Sequence, residues 1–492
     1  MEAIVSRRPL RRDVTSDRVF AAAKALINDC MHFDDSHSHC RYSREKVLPS
    51  RVLDVGQPGD SQPHIKLRIN DTEVYEPYVA LSYCWGQRPN PLLPGQSISL
   101  EKGKLQDLIK EIRLEELSKS IQDAVRVCRE LGFRYLWVDV LCIIQDCTID
   151  KEKEISQMAA IYKNATVTIV AATSSNAADG FLTDAIRPYL PDRKFSIPMS
   201  NEQAGEVYLS TGCYEPKHTI DERGWALQEF MLSPRMLIFS EYELLWQCQQ
   251  VQLQSVTGLG LDYLQYLDSL PWMAFGDDEA ASYGSVEADK LYLWTSVVEQ
   301  YTRRKLTDPE DRLPAITGVI SELEVVWGDM NIYGLWKKWF IGLLVWYKPR
   351  SQRAEKRFLR RAPSWSWASL DGEISHEGPL TSEDARVRLI TQSAAELIGR
   401  KLRDEKICDS KLETIEELPD LENACPDARS KEAEYVLLGT VKESEKNSET
   451  GVGLLVEDVG HRVYRRLGLA RFSDMSIWKD IEPKVIRLEP KL

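Results

Sequence analysis

The chain reads as an α/β protein in which helices flank a parallel sheet, followed by a mainly helical region and a small β-containing C-terminal part. Three observations predict this. The short, almost continuous apolar runs "YVALSYCWG" (78–86), "FRYLWVDVLCII" (133–144) and "TVTIVAAT" (166–173) have the pattern of strands buried on both faces. Two stretches of helical spacing lie between them. Leu117, Ile121, Ala124, Val125, Cys128 and Leu131 are in phase in the first, and Ile155, Met158 and Tyr162 share a stripe in the second. Strand–helix–strand repeats of this kind make right-handed βαβ units, and hence parallel pairing.

The remaining elements follow in order. A helix is predicted over 13–30, and "LPSRVLDVG" and "IKLRIN" alternate as a hairpin around "QPGDSQP". After the third buried run, "GEVYLS" alternates as a strand, "RGWALQE" (223–229) opens a helix, and "RMLIFSEYELLWQC" holds two strands. Residues 286–347 look mainly helical, with "LYLWTSVVEQYTRR" and "GLWKKWFIGLLVWY" the strongest segments. "RAPSWSWASLDG" (361–372) is a compact loop–strand whose Trp365 and Trp367 belong to a core. Residues 373–432 are rich in Glu, Asp, Lys and Ser and poor in aromatics, a composition that favours partial disorder. Strands near "EYVLLGTV" and "GVGLLVEDV" return the chain to a fold. The organisation is therefore 1–45, an N-terminal helix and Cys/His loop; 46–250, the α/β domain; 251–372, a helical extension; 373–432, an acidic segment; and 433–492, a β-containing end.

Bulk properties exclude several functions. A net charge of −13 over 492 residues argues against a general nucleic-acid or anionic-membrane binder, and the basic "SRRPLRR" (6–12) is too short to offset it. The ten cysteines lack the repeated spacing of a disulfide framework, which fits a reducing, cytoplasmic location. The apolar run "FIGLLVWY" (340–347) is far short of the ~20 residues of a spanning helix, so no membrane span is expected. Phosphate-loop, dinucleotide-fingerprint, zinc-protease and serine-hydrolase motifs are missing. With seven histidines in the chain, carboxylates or a thiolate are the better candidates for chemistry.

In parallel sheets ligands bind beyond the carboxyl ends of the strands. That rule singles out Ser82, Tyr83, Trp85 and Gly86 after the first run, and Asp139, Cys142 and the Gln145–Asp146 turn after the second. Thr173 and Ser174 follow the third. Asp139 also suits capping of the turn that follows it, and Cys142 suits a buried apolar position. In "RGWALQE", Trp225, Gln228 and Glu229 fall on one helix face, with Arg223 just before it. The plainer reading pairs Glu229 with Arg223 or Arg235 and puts Trp225 in the core. "CMHFDDSHSHC" gathers Cys30, His32, His37, His39 and Cys40. Without a CxxC pair or a second cluster nearby it reads as a loop stitched by buried Cys and His, with no metal assigned.

"YVALSYCWG", "YLWVDVLCIIQD…EISQMAAIYKNATVTIVAA" and "RGWALQEFMLSPRMLIFS", in that order, resemble the fungal heterokaryon-incompatibility (HET) domain. The likeness extends from "LPSRVLDVG" to "PSWSWASLDG", with Ile144, Cys147 and Ala226 departing from the usual pattern. The resemblance implies a cytoplasmic cell-death effector of non-self recognition, with a core similar to the flavodoxin-like sheet of Toll/interleukin-receptor (TIR) domains. Such domains carry a Trp and, shortly after it, the Glu that cleaves NAD; the matching positions here are Trp225 and Glu229. The resemblance thus implies Glu229 as catalytic residue, with Ser82, Tyr83, Trp85, Gly86, Asp139, Gln145, Arg223 and Trp225 binding substrate. Trp85 or Tyr83 would stack on a ring and Arg223 would meet a phosphate oxygen. NAD would be a substrate and no resident cofactor is implied. The other implied activity is non-enzymatic: assembly through homotypic contacts, as in TIR adaptors. Either reading leads one to expect a homo-oligomer on activation and a protein regulator, and no nucleic-acid partner.

Overall fold

The structure is a computed structural model. It describes residues 14–32, 37, 40, 47–57, 64–70, 73–86, 98–182, 193–198, 204–209, 218–241, 243–249, 251, 253–257, 286–349, 361–389, 394–403, 413–420, 433–442 and 449–490. The basic stretch 6–12 and His39 lie outside these residues. The chain divides into two compact units, Met1–Gly276 and Asp277–Leu492.

In the first unit, helix α1 (Asp17–His32) precedes the hairpin β1 (Arg51–Asp54) and β2 (Lys66–Ile69). Then come β3 (Tyr78–Ser82), α2 (Leu105–Lys110), α3 (Lys119–Glu130), β4 (Tyr135–Trp137), the single turn α4 (Asp139–Cys142), α5 (Thr148–Asn164) and β5 (Val167–Ala171). A separate ribbon, β6 (Arg193–Pro198) with β7 (Ala204–Leu209), leads to α6 (Gly224–Leu232), β8 (Arg235–Phe239), β9 (Leu244–Cys248) and β10 (Gln254–Ser255). Eight strands form one sheet in the order β10-β9-β8-β5-β3-β4-β1-β2. Its centre, β4-β3-β5-β8, is parallel, and both margins are antiparallel. Numbered among themselves, the parallel strands run 2-1-3-4, the doubly wound order of flavodoxin-like sheets. The connection direction reverses between β3 and β5.

That reversal puts helices on both faces. Val79 and Leu81 of β3 point into one core, which they share with Phe20 and Ile27 of α1 and the α3 stripe Ile121, Ala124, Val125 and Cys128. Each buried aliphatic side chain of such a stripe contributes roughly 1.5–3 kcal/mol. Tyr78, Ala80 and Ser82 face the other way, towards α5 and α6: the Tyr78 hydroxyl donates to the Ile161 carbonyl at 2.6 Å, and the Thr168 and Ser233 hydroxyls are 2.6 Å apart. Trp137 of β4 meets the edge of Tyr162 at 5.6 Å between centroids. The apolar runs are continuous because both faces of these strands are covered.

The second unit begins with α7 (Val286–Thr302) and α8 (Pro314–Trp327). The segment "GLWKKWFIGLLVWY", expected to be helical, is instead β12 (Leu335–Trp336), the single turn α9 (Phe340–Leu343) and β13 (Trp346–Tyr347), preceded by β11 (Asn331–Ile332). An apolar run buried on all sides carries no period that separates short strands from a helix. The tight turn at Gly334, with φ of +88°, breaks the run, and its carbonyl accepts the indoles of Trp294 (2.9 Å) and Trp367 (3.1 Å). Trp365 and Trp367 are buried, as expected of a core.

The acidic segment contributes strands over its described residues: β14 (Ser375–His376), β15 (Leu380–Glu383), β16 (Arg386–Leu389), β17 (Ala395–Arg403) and β18 (Ile415–Pro419). Residues 404–412 and 421–432 lie outside the described residues. β14 pairs with β13 in a separate two-stranded sheet, whereas β15–β18 build the C-terminal sheet with β19 (Ala433–Lys442), β20 (Glu449–Asp458), β21 (Val463–Phe472) and β22 (Pro483–Leu488). Strand β17 pairs with both β22 and β19, so β17-β19-β20-β21-β22 closes into a ring. Inside this unit Arg466 is fully buried. It donates to Asp420 at 2.9 Å and to the Leu344 carbonyl at 2.7 Å, and its guanidinium lies 3.4 Å from the Trp346 ring centroid. No helix among the described residues is long and apolar enough to cross a membrane.

Candidate functional site

The carboxyl ends of β3 and β4 and the first turns of α6 come together on the α5/α6 face of the first unit. Ser82 is the last residue of β3 and, by strand alternation, points to the side on which α6 lies. Its hydroxyl donates to the Glu229 carboxylate, a contact between residues 147 apart in sequence. Glu229 is 1% exposed, so this is a buried carboxylate rather than a helix-surface acid. One residue past β4 plus its cap Val138, Asp139 opens α4. One of its carboxylate oxygens accepts the Val140 amide at 2.7 Å and the other accepts the Trp85 indole at 2.8 Å. Asp139 therefore accepts an amide of its own turn and joins the cluster at the same time.

Arg223, the residue before α6, supplies the positive charge. Its guanidinium donates to the Tyr83 carbonyl, which anchors it at the end of β3. Burial disfavours the Arg223 charge, but Glu229 and then Asp139 more than offset this and raise its pKa. For Asp139 the balance goes the other way. Burial pushes its carboxyl up to about 6, against the pull of Arg223 and with a further push from Glu229. Two carboxylates thus act on one arginine, and Asp139 is poised to hold a proton near neutrality. The phenols of Tyr83 and Tyr162 are held far above the usual range by burial, with Asp139 and Glu229 both adding to it. Tyr162 donates to the Leu81 carbonyl at 3.1 Å.

Of the positions singled out from sequence, Ser82, Tyr83, Trp85, Asp139, Arg223 and Glu229 therefore meet. Tyr83 is buried, so its ring offers no stacking face; Trp85, at 43% exposed, does. Trp225 is half-buried and Gln228 buried on the first turns of α6. Gln145 braces the Asp139 turn from behind, donating to the Ile143 carbonyl at 3.0 Å and the Asp139 carbonyl at 3.3 Å. Gly86 serves the backbone: with φ of +86° it packs directly on Asn176, where a Cβ would collide. Burial pushes the Cys142 thiol up to about 12, which suits an apolar role. Ser174 bonds to the Gly180 carbonyl. Tyr162 was legible only as part of the apolar stripe of α5, and nothing in that stripe signalled its place beside the carboxylates. His218 is buried and its pKa falls to about 4, so it is neutral at physiological pH.

The fold and site define an α/β domain with two inward carboxylates and one arginine at the switch point of a parallel sheet. Residues 78–229 match the family model described as Heterokaryon incompatibility protein (HET). Residues 78–229 thus carry a HET domain, and the match supports a role in heterokaryon incompatibility. The matched span starts on the first residue of β3 and ends on Glu229, so it contains the whole carboxylate cluster. No match was found among curated proteins or among solved structures.

Proposed function

We propose that the HET domain of this protein is an effector that cleaves the nicotinamide–ribose bond of NAD. The observation that carries this reading is the burial of Glu229 against Ser82, with Arg223 and Asp139 beside it. Loss of nicotinamide leaves positive charge on the ribose ring, and a preorganised carboxylate stabilises that charge more in a dry site than in water. Glu229 is the catalytic residue in this reading. The C1′–N bond breaks with its electron pair going to nicotinamide, water adds at C1′, and ADP-ribose and a proton are released. Asp139, whose pKa is close to neutral, suits receipt of that proton. The exposed Trp85 indole offers a stacking face, and Arg223 suits a phosphate oxygen.

The 1% exposure of Glu229 describes a closed site. In this reading activation opens it, and self-association or a protein regulator is what shifts the balance. The experiment is expression of the full chain in cells while NAD and growth are followed. Wild type should deplete NAD and arrest growth, and Glu229→Ala should do neither. Arrest by Glu229→Ala with NAD intact would instead support the assembly reading, in which homotypic contacts carry the signal.

A further inference from the structure

Away from the carboxylate cluster, and outside the span that matches the HET family, the first unit gathers a second set of reactive side chains. Cys30 lies in the last turn of α1, His37 and Cys40 follow it, and Cys248 ends β9. In sequence the first three stand together with His32 and His39, and the fourth arrives from a position 211 residues beyond His37. Their ligand atoms all lie within 4.8 Å of one another, with His37 Nδ1 3.4 Å from the Cys40 sulfur and 3.6 Å from the Cys248 sulfur. A tetrahedron built on Zn–S of ~2.3 Å and Zn–N of ~2.0 Å has S···N edges of roughly 3.5 Å and S···S edges of roughly 3.8 Å. The three cysteines are buried free thiols.

We propose that Cys30, His37, Cys40 and Cys248 form a structural zinc site. A second, independent feature supports it. Arg235 at the start of β8 is fully buried, and its side-chain partners among the described residues are the Cys30 sulfur at 3.1 Å and the carbonyls of Cys30 and Thr166 at 3.4 Å. A buried guanidinium requires an anion close by. Zinc with three thiolates and a neutral imidazole carries one net negative charge, and the Arg235 N–H to the Cys30 sulfur neutralises it. The Val251 amide donates to the Cys248 sulfur at 3.3 Å, a backbone N–H···S contact of the kind that orients metal thiolates. Four protein ligands leave no open position, so the metal is structural rather than catalytic. Its task is to pin α1 and the residues after it to the antiparallel margin of the sheet at β9. A metal that closes so long a loop favours the folded state strongly.

The test uses purified full-length protein. Elemental analysis after gel filtration should find about one zinc per chain. Cobalt substitution should give the intense visible bands of a tetrahedral thiolate site, and X-ray absorption should show a sulfur-rich shell with one nitrogen. Cys40→Ser and Cys248→Ser should lose the metal to background, whereas Cys147→Ser, which alters a cysteine outside the cluster, should retain it. If the serine variants fail to fold, the wild-type cobalt and absorption spectra still decide. Folded wild type without stoichiometric zinc, with these cysteines freely titratable or disulfide-linked, overturns the proposal. Zinc retained by the Cys40→Ser/Cys248→Ser double variant overturns it as well.

Discussion

Ser82 and Glu229 are joined by a buried hydrogen bond between the end of β3 and the second turn of α6. This contact fixes the Glu229 carboxylate at the topological switch point of the sheet, beside Arg223. Removing the charge while keeping the shape separates chemistry from structure. Glu229→Gln should lower NAD cleavage by about 10²–10³-fold, the scale of losing one preorganised electrostatic group. Comparison of turnover rates, with circular dichroism as a check on folding, measures this. Glu229→Ala should in addition destabilise the domain, since it leaves the Arg223 charge short of its partner, at a cost on the order of 3 kcal/mol.

The raised pKa of Asp139 makes a prediction with a definite sign. Its folded value is about 6, above the ordinary 3.8, so the native state holds the proton more tightly than the unfolded chain. Stability should therefore fall as pH rises from about 4 to about 6 and then level off, as far as this group is concerned. Asp139→Asn should raise stability at pH 7.5 by about 1–3 kcal/mol and by little at pH 4. Denaturation curves at the two pH values test this. An equal effect at both would contradict it.

Backbone geometry at the end of β3 is equally testable. Gly86 has φ of +86° and no room for a Cβ against Asn176. Gly86→Ala should cost about 1–3 kcal/mol, and Asn176→Ala should not restore the loss, because the crowding involves the Asn176 Cβ and Cα. Thermal unfolding of the single and double variants checks this.

In the second unit, Arg466 and Asp420 are both fully buried and paired at 2.9 Å. Breaking one partner of such a pair leaves an uncompensated charge. Arg466→Met and Asp420→Ala should each destabilise by about 3–5 kcal/mol, with the arginine change also freeing the Leu344 and Trp346 carbonyls. Chemical denaturation followed by tryptophan fluorescence is a suitable readout, given the indole of Trp346 under the guanidinium.

Much of the first unit was legible because its strands are covered on both faces. β3 and β5 announce themselves as unbroken apolar runs and α3 and α5 as stripes between them, whereas the run 133–144 is strand only at Tyr135–Trp137 before it turns into α4. The carboxyl-end rule then pointed to Ser82, Asp139 and their neighbours without further information. Pairings over long separations were not legible. No local pattern tells that Ser82 meets Glu229, that Arg235 turns to Cys30 instead of Glu229, or that Cys248 returns to His37. The tryptophan-rich segment before Tyr347 misled for another reason: burial on all sides erases the period by which strands and helices are told apart.

The proposal that Glu229 cleaves NAD stands or falls on release of nicotinamide from NAD by the purified protein. Wild type should release nicotinamide at a rate that rises with protein concentration, and folded Glu229→Gln should release it about 10²–10³-fold more slowly. No release by wild type at any concentration, or equal release by Glu229→Gln, would contradict the claim.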